Sequence, residues 1–433
     1  MKKNSDLIFL QNGIIYNPFT KNKINGSILI ENGKIKEIGD LLAPKNANKI
    51  DCKDKIIAPG FIDIHAHFRE PGREDKETLE SGAMAALSGG FTRVCIMPNT
   101  DPPIDSPEAI RFIIEKSKNL PINIFPIGAI TIGQKGQELA EFGEMARAGA
   151  VALSDDGLPV QNGQVLRNAL EYSQKFSLPI INHAEDVFLR NEGVVNENSL
   201  STRLGLPGNP DISESVMVNR DLEIAEFTSG RIHIPHVTTK RSVELIKQFK
   251  KKGVNVTAEV SPHHIGLTQD LLTNYDTNLK VAPPLRTEQD RQALIEALID
   301  GTIDCIATDH APHTIEEKEM DFIHSPCGMI GLESAFGLSH TVLSSKVATE
   351  KIIDFFTKGP ANIMNFDIKP FSVDENAELA IINPSLKWTF KETDIISKSK
   401  NSPMVGMDFV GKVVGVVSKN NFSGNLFDYS LTK

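Results

Sequence analysis

Side chains able to share one metal ion recur along this chain at the ends of short apolar runs. His65 and His67 close a run in DIHAHF, and Asp156 follows one in LSDDG. His183 ends one in INHAED, His236 ends one in IPHVTT, and Asp309 follows one in ATDHAPH. Residues i and i+2 of a strand project to the same side, so the imidazoles of His65 and His67 can reach one cation. Imidazole nitrogens combined with carboxylate oxygens suit Zn²⁺ or a similar borderline metal. If a position is left to water, such an ion brings the pKa of that water to about 7 and polarises a carbonyl, which is the chemistry of hydrolysis. A carboxylate beside the ion can take the water proton and pass it to a leaving nitrogen. Asp309 is the candidate for that task.

Taken singly, each residue has an ordinary reading. A His-x-His pair arises by chance, Asp155-Asp156-Gly157 is good turn chemistry, and Asp309 could cap the segment after it. Against six separate accidents stands one regularity: all six fall at the same end of their runs. His263 and His264, which end another run in SPHH, could orient ligands. The structural reading is preferred for both, and they are left out of the site.

The elements that must position these residues follow from the spacing. Eight β-branched runs alternate with helical stretches: GFIDIH (60–65), TRVCIM (92–97), INIFPIG (122–128), AVALS (150–154), PIINH (179–183), RIHIPH (231–236), VNVTAEV (254–260) and IDCIAT (303–308). Alternating β and α at this spacing predicts a parallel sheet, and eight repeats fit a closed (β/α)₈ TIM barrel over 58–365. In such a barrel the C-terminal strand ends converge on one face, which would bring all six ligands to one mouth. The first stretch, to about Ile57, has a different texture, with short strands and the pairs Asn12-Gly13, Asn25-Gly26 and Asn32-Gly33 as hairpin-turn signals. That texture returns in AELAIINPS and MVGMDFVGKVVGVVSKNN. Residues 1–57 and 366–433 are therefore expected to form one small β-sandwich from both termini, making the fold class α/β with an appended β domain.

Composition narrows the rest. With 433 residues, 40% hydrophobic and 24% charged, the chain reads as an ordinary globular protein that can bury a large core without staples. A net charge of −10 gives no basic footprint for nucleic acid, though local arginines could still hold an anion. Cys52, Cys95, Cys305 and Cys327 form no CxxC pair and are expected to be reduced thiols, mostly buried. The apolar run Leu7 to Leu10 is too short for a signal-peptide core, and no segment approaches the roughly 18 apolar residues of a membrane span. The expected location is the cytoplasm.

PGFIDIHAHFREPG (59–72), with His65-x-His67-x-Arg69-Glu70-Pro71-Gly72, resembles the signature of the dihydroorotases within the amidohydrolase superfamily. So do CIMPNT (95–100), LSDDG, INHAED, IPHVTTKRSVELI and CIATDHAPH (305–313). The resemblance runs from about residue 7 to the end and is sharpest in HFREPG and ATDHAPH. It implies that His65 and His67 ligate one zinc, that His183 and His236 ligate a second, and that Asp156 bridges them. Asp156 is chosen over Asp155 because it matches the motif's spacing to His183. The resemblance also makes Asp309 a ligand of the first metal and the proton shuttle. It assigns Arg69, Asn99 and His313 to the substrate, mainly its carboxylate, together with His67, Phe68 and a backbone contact at Cys327 and Gly328. Arg69 offers a planar fork that fits a carboxylate; without the motif it could equally pair with Glu70, Asn99 could hold a turn, and His313 could pack on Pro312.

Two features set the chain apart within that superfamily. The bridge is an aspartate, as in a bacterial subgroup, so no carboxylated lysine is expected. KVAPPLR (280–286) has Ala282 where that subgroup often has an asparagine facing the substrate, so one hydrogen bond is lost or supplied elsewhere. The implied reaction is the reversible cyclisation of N-carbamoyl-L-aspartate to dihydroorotate in pyrimidine synthesis, with one or two Zn²⁺ per chain. A homodimer and a complex with aspartate transcarbamoylase are both left open. Two other readings differ in these residues. Cyclic amidohydrolases acting on hydantoin, allantoin or dihydropyrimidines generally use a lysine bridge and lack the HFREPG arginine. A non-catalytic dihydroorotase-like scaffold for aspartate transcarbamoylase loses metal ligands, whereas all six are present here.

Overall fold

The apolar runs at the start of the chain pair with one another before the barrel begins. In the computed structural model, which describes residues 7–419 and 421–424, β1 (Leu7–Asn17), β2 (Asn22–Glu31) and β3 (Lys34–Gly39) form an antiparallel meander. β4 (Asn48–Asp51) and β5 (Ile56–Pro59) run parallel beside β1. The basic start 1–6 and the tail 425–433, both assigned above to the β-sandwich, lie outside the described residues.

Of the three Asn-Gly pairs, only Asn32-Gly33 makes a hairpin turn, joining β2 to β3 with both residues at positive φ. Asn12-Gly13 lies inside β1, where the register to β2 shifts between Leu10 and Gly13 and Asn12 holds φ +61°, a β-bulge. Asn25-Gly26 lies inside β2, paired with Ile14 and Gly13. Asn-Gly signals positive φ, and a bulge uses that as readily as a turn does; the β1–β2 connection is made instead around Lys21, with φ +62°.

From residue 60 each β-branched run becomes a barrel strand. β6 (Phe61–Ala66), β7 (Phe91–Ile96) and β8 (Asn123–Pro126) pair in parallel, followed by β9 (Leu153–Ser154) and β10 (Ile180–Ile181). The chain then makes an excursion containing the two-stranded sheet of β11 (Val195–Asn196) and β12 (Gly208–Asn209). It returns through β13 (Ile232–Ile234), β14 (Val256–Val260) and β15 (Cys305–Ile306). Parallel bridges Gly128–Leu153 and Ala66–His310 close the ring of eight strands.

Some strands are shorter than their runs, but hydrogen bonds such as Gly128 N–H to Ala152 O at 3.0 Å extend the pairing past the regular ladder. Inside the ring pack Ile62, Ile64, Cys95, Met97, Ile127 and Ala307, a buried floor beneath the mouth.

Helices follow each barrel strand, and several begin on side-chain caps. Thr78 opens Leu79–Ser88 with a capping box, Ser106 precedes Pro107–Ser117 with proline at the first turn, and Thr287 opens Glu288–Asp300 with a second capping box. Helix Lys240–Lys251 turns Val243, Leu245, Ile246 and Phe249 inward and leaves Lys240, Lys247 and Lys251 in water.

The chain finishes with β16 (Leu379–Thr389), β17 (Asp408–Ser418) and β18 (Asn421–Gly424), which join β5 to make one eight-stranded sheet from both termini. Ile28, Ile30 and Ile35 from one end of the strand order share a buried cluster with Val414 and Val417 from the other. The sheet therefore curls over on itself, and the sandwich is made from a continuous sheet. Among the described residues no helix is long and apolar enough to cross a membrane.

Candidate metal centre and active site

All six predicted ligands are buried and converge at the C-terminal end of the barrel strands. His65, His67 and Asp156 form one group of donor atoms lying within 4.8 Å of one another; Asp156, His183 and His236 form a second, so Asp156 is common to both. Asp156 Oδ1 lies 3.4 Å from His65 Nε2 and 3.6 Å from His236 Nε2, while Oδ2 lies 3.5 Å from His67 Nε2. Asp309 Oδ1 faces the first group, 3.2 Å from His67 Nε2 and 3.6 Å from His65 Nε2.

The two adjacent aspartates divide the work. Asp155 turns back into the scaffold, accepting Ile130 N–H at 2.8 Å and Thr131 N–H at 3.1 Å as well as the Thr131 hydroxyl. The turn at 155–158, closed by Leu158 N–H to Asp155 O, then aims Asp156 at the mouth. A turn and a candidate metal donor thus coexist in LSDDG.

Partners behind the ring fix which imidazole nitrogen faces the cluster. His65 Nδ1 lies 2.6 Å from Glu259 Oε1, and Glu259 Oε2 lies 3.1 Å from His233 Nε2. Glu259 therefore holds the Nδ1 proton and turns the Nε2 lone pair of His65 inward. Asn99 does the same for His67, with Oδ1 at 2.8 Å from Nδ1, and reaches Asp156 O with Nδ2 at 3.4 Å. Glu185 Oε2 stands 3.5 Å from His183 Nε2 and Glu185 Oε1 accepts from Asn209 Nδ2 at 2.9 Å. The backbone is strained at the same place: Arg69, His236 and Asp309 hold φ of +60°, +33° and +49°, each a cost of about 1–3 kcal/mol that the surroundings must impose.

Whether these residues suit a cation is answered by two orphaned atoms. His65 Nε2 and Asp156 Oδ1 are buried without a hydrogen-bond partner, although they lie 3.4 Å apart. Leaving such groups unsatisfied costs about 1–3 kcal/mol each, which a cation between them would recover. The electrostatics agree. Burial alone would raise the Asp156 carboxyl, yet His65, His236 and His67 hold it well below the carboxylate range. Burial also opposes a charged His65, yet Asp156 and Glu259 raise it well above an ordinary histidine. The cluster calls for positive charge, as a proton or as a metal ion. An imidazole and carboxylate donor set with a shared aspartate fits a divalent transition metal.

Above the cluster opens a cavity of about 290 Å³, lined among others by His67, Arg69, Asn99, Asp156, Asp309, His313, Cys327 and Gly328. Arg69 does not pair with Glu70, whose carboxylate accepts Leu79 N–H at 2.8 Å and Lys116. Its Nε donates to Pro312 O at 3.3 Å, and the rest of the fork is turned toward His313. Gly328 holds φ +136°, and a Cβ there would stand 2.7 Å from Ala311 Cβ and 3.0 Å from His313 Nε2, so only glycine lets this backbone pass.

Phe68 is the exception among the predicted contacts. Its side chain is 1% exposed, sits in the hydrophobic core against Gly82, and does not line the cavity. Of the four cysteines, Cys52, Cys95 and Cys305 are buried, while Cys327 is exposed at the cavity wall. His263 and His264 are buried, with His264 Nε2 3.1 Å from Pro283 O.

Several residues that shape the site went unread in the sequence. Glu259, a lone acid inside the apolar run VTAEV, was a visible signal. Asn401 carried none: its amide accepts His313 N–H at 3.1 Å and donates to Ala311 O at 3.0 Å and Gly328 O at 3.1 Å, pinning both sides of the loop that walls the cavity. Arg190 and Glu185 line the cavity with Ala282, whose methyl group offers no hydrogen bond.

Residues 54–242 match a family model described as dihydro-orotase-like. The chain is 44% identical over 414 residues to a dihydroorotase of Endomicrobium trichonymphae, covering 94% of this chain and 97% of that one. It is 46% identical over 390 residues to a dihydroorotase of Geobacter metallireducens, covering 89% and 91%. Among solved structures, an L-hydantoinase (dihydropyrimidinase) from Arthrobacter aurescens superposes with a TM-score of 0.84 at 23% identity, covering 96% of both chains. A D-hydantoinase (dihydropyrimidinase) from Thermus sp. gives 0.80 at 22% identity, covering 96% of this chain and 97% of that one. At such identities the structural likeness speaks to the fold.

Proposed function

This chain belongs to the dihydroorotase family, and on that premise we propose that its barrel mouth interconverts dihydroorotate with N-carbamoyl-L-aspartate by hydrolysis and closure of a cyclic amide. The observation that supports this reading most is the pair of donor groups sharing Asp156 beneath a cavity that also holds Arg69 and Asp309. His65, His67, Asp156 and Asp309 would hold one ion, with His183 and His236 holding a second through Asp156. Zinc is the first choice for these donors. When bound, such an ion supplies an acidified water and a Lewis-acid pole for the amide carbonyl.

The chain's own residues do the rest. Asp309 lines the cavity and faces both His65 and His67, so its carboxylate can accept a proton in one direction and return it to the ring nitrogen. Arg69 presents its fork for the carboxylate that substrate and product share, and His313 presents a second donor beside it. The Cys327–Gly328 backbone lines the same cavity, with Cys327 O 2.8 Å from His313 Nε2, and would be the backbone contact for that group. Asn99, by holding His67 Nδ1, keeps Nε2 turned to the cluster and stands at the cavity wall as well.

A substrate panel on the zinc-loaded chain tests the assignment. Turnover of dihydroorotate with little or none of hydantoin is expected; the reverse preference would remove it.

A further inference from the structure

Beyond the ligands and the Arg69 fork, the substrate side of the cavity depends on which nitrogen of His313 carries its proton. Lys76, at the end of HFREPGREDK, is 6% exposed, and its Nζ lies 3.1 Å from His313 Nδ1 and 2.9 Å from Glu317 Oε1. An ammonium group only donates, so the nitrogen that faces it must offer a lone pair. On the other side of the ring, His313 Nε2 lies 2.8 Å from the carbonyl oxygen of Cys327, which only accepts. Both contacts select the same form, neutral with the proton on Nε2; Arg69 Nη2, also a donor, stands farther from that nitrogen, at 3.5 Å, and the 2.8 Å carbonyl contact outweighs it. Glu317 Oε2 also approaches Nδ1, at 3.2 Å, and by itself would favour a proton there. Lys76 decides against it, because a proton on Nδ1 would point at the ammonium, and the Cys327 carbonyl would face a lone pair if Nε2 lost its own.

We propose that Lys76 is a positioning residue that locks His313 as its neutral Nε2–H tautomer, so that the cavity presents a hydrogen-bond donor beside Arg69 for the substrate carboxylate. The proposal rests on the reading of Arg69 and His313 as the carboxylate pair. Burial and the positive charges of Arg69, Lys76 and Lys318 all disfavour a second proton on the ring, which keeps the imidazole neutral. Without substrate the Nε2 hydrogen is given to Cys327 O. A carboxylate arriving between Arg69 and His313 is the stronger acceptor and takes that hydrogen over. Ser399 Oγ holds Lys76 O at 2.7 Å, so the ammonium is anchored from its own backbone.

The test is long-range proton–nitrogen correlation on zinc-loaded protein labelled at histidine nitrogen, with His313 assigned by comparison with His313→Gln. At neutral pH the native protein should show His313 with a bare Nδ1 and a protonated Nε2. Lys76→Met should move the proton to Nδ1, where Glu317 receives it, and raise KM for dihydroorotate about tenfold while kcat stays within about threefold. Lys76→Arg should restore both, and Glu317→Gln should leave the tautomer as in the native chain. A native His313 that is Nδ1-protonated or doubly protonated overturns the lock, and that result does not depend on any Lys76 variant folding. A proton that stays on Nε2 in Lys76→Met also overturns it. If the proton moves while KM is unchanged in both Lys76→Met and His313→Gln, the carboxylate role of His313 fails, and with it the functional half of the proposal.

Discussion

Among single residues, neighbouring or similar groups divide between chemistry and structure. Asp309→Asn keeps the size of the side chain and removes its capacity to carry a proton. It should lower kcat by about 10²–10⁴ with an unchanged thermal midpoint, read by steady-state kinetics beside calorimetry. Near-normal turnover would exclude the shuttle. Arg69→Ala should act mainly on KM for both substrate and product, and an unaltered KM would separate Arg69 from the carboxylate. Asp155→Ala, one residue from the proposed bridge, should leave metal content intact but cost about 1–3 kcal/mol in denaturant unfolding, because Ile130 N–H and Thr131 N–H lose their acceptor. The proposed ligands were legible, since His65, His67, Asp156, His183, His236 and Asp309 each sit at or just past the end of a strand. Their partners were not. Glu259 and Lys76 act through contacts with His65 and His313, residues 194 and 237 positions away in the chain, and no local pattern encodes such a pairing.

Among the elements, the strands deliver the candidate ligands and the loops above them deliver the cavity wall. The eight strands could be read from β-branched runs, because period and composition there reflect burial within a few residues. The Asn-Gly pairs were legible only as positive φ, not as turns, since a bulge satisfies the same preference. The loop following β15 has no periodicity and is shaped by what grips it. Asn401 holds it from one side, and the buried amines of Lys280 and Lys318 hold it from the other, donating to Ile323 O, Ser325 O and Pro326 O. Asn401→Leu, close in size but without hydrogen bonds, should free His313 N–H, Ala311 O and Gly328 O together. The expected result is a KM raised about tenfold with metal content retained, measured by kinetics and metal analysis on the same sample. A KM at the native value would show that the loop keeps its shape without the clamp.

For the whole molecule, the question is why one sheet is assembled from both ends of the chain. Part of the answer lies beneath the barrel, where Glu378, just before β16, accepts Arg93 Nε at 2.8 Å and Asn123 Nδ2 at 2.7 Å from β7 and β8. Another part lies at the mouth. Between β16 and β17 the chain runs out over the barrel, where Ser397 meets Glu77, Ser399 meets Lys76, and Asn401 meets the loop after β15. The returning β texture of the C-terminus predicted the shared sheet, but nothing in SKSKNSP predicted a strap across the active-site loops. The two roles are separable. Glu378→Ala should lower stability by about 1–3 kcal/mol while leaving kcat/KM for dihydroorotate unchanged, because it touches only the barrel's far end. A matching loss of kcat/KM would mean that the sheet and the mouth are coupled through the barrel.

Metal stoichiometry can be set against turnover on one preparation before chelation, after chelation and after return of zinc. A metal-dependent barrel mouth predicts at least one tightly held divalent ion per chain, dihydroorotate turnover that disappears with the ion and returns with it, and neither retention nor recovery in Asp156→Asn. Full turnover in protein stripped of metal would contradict it.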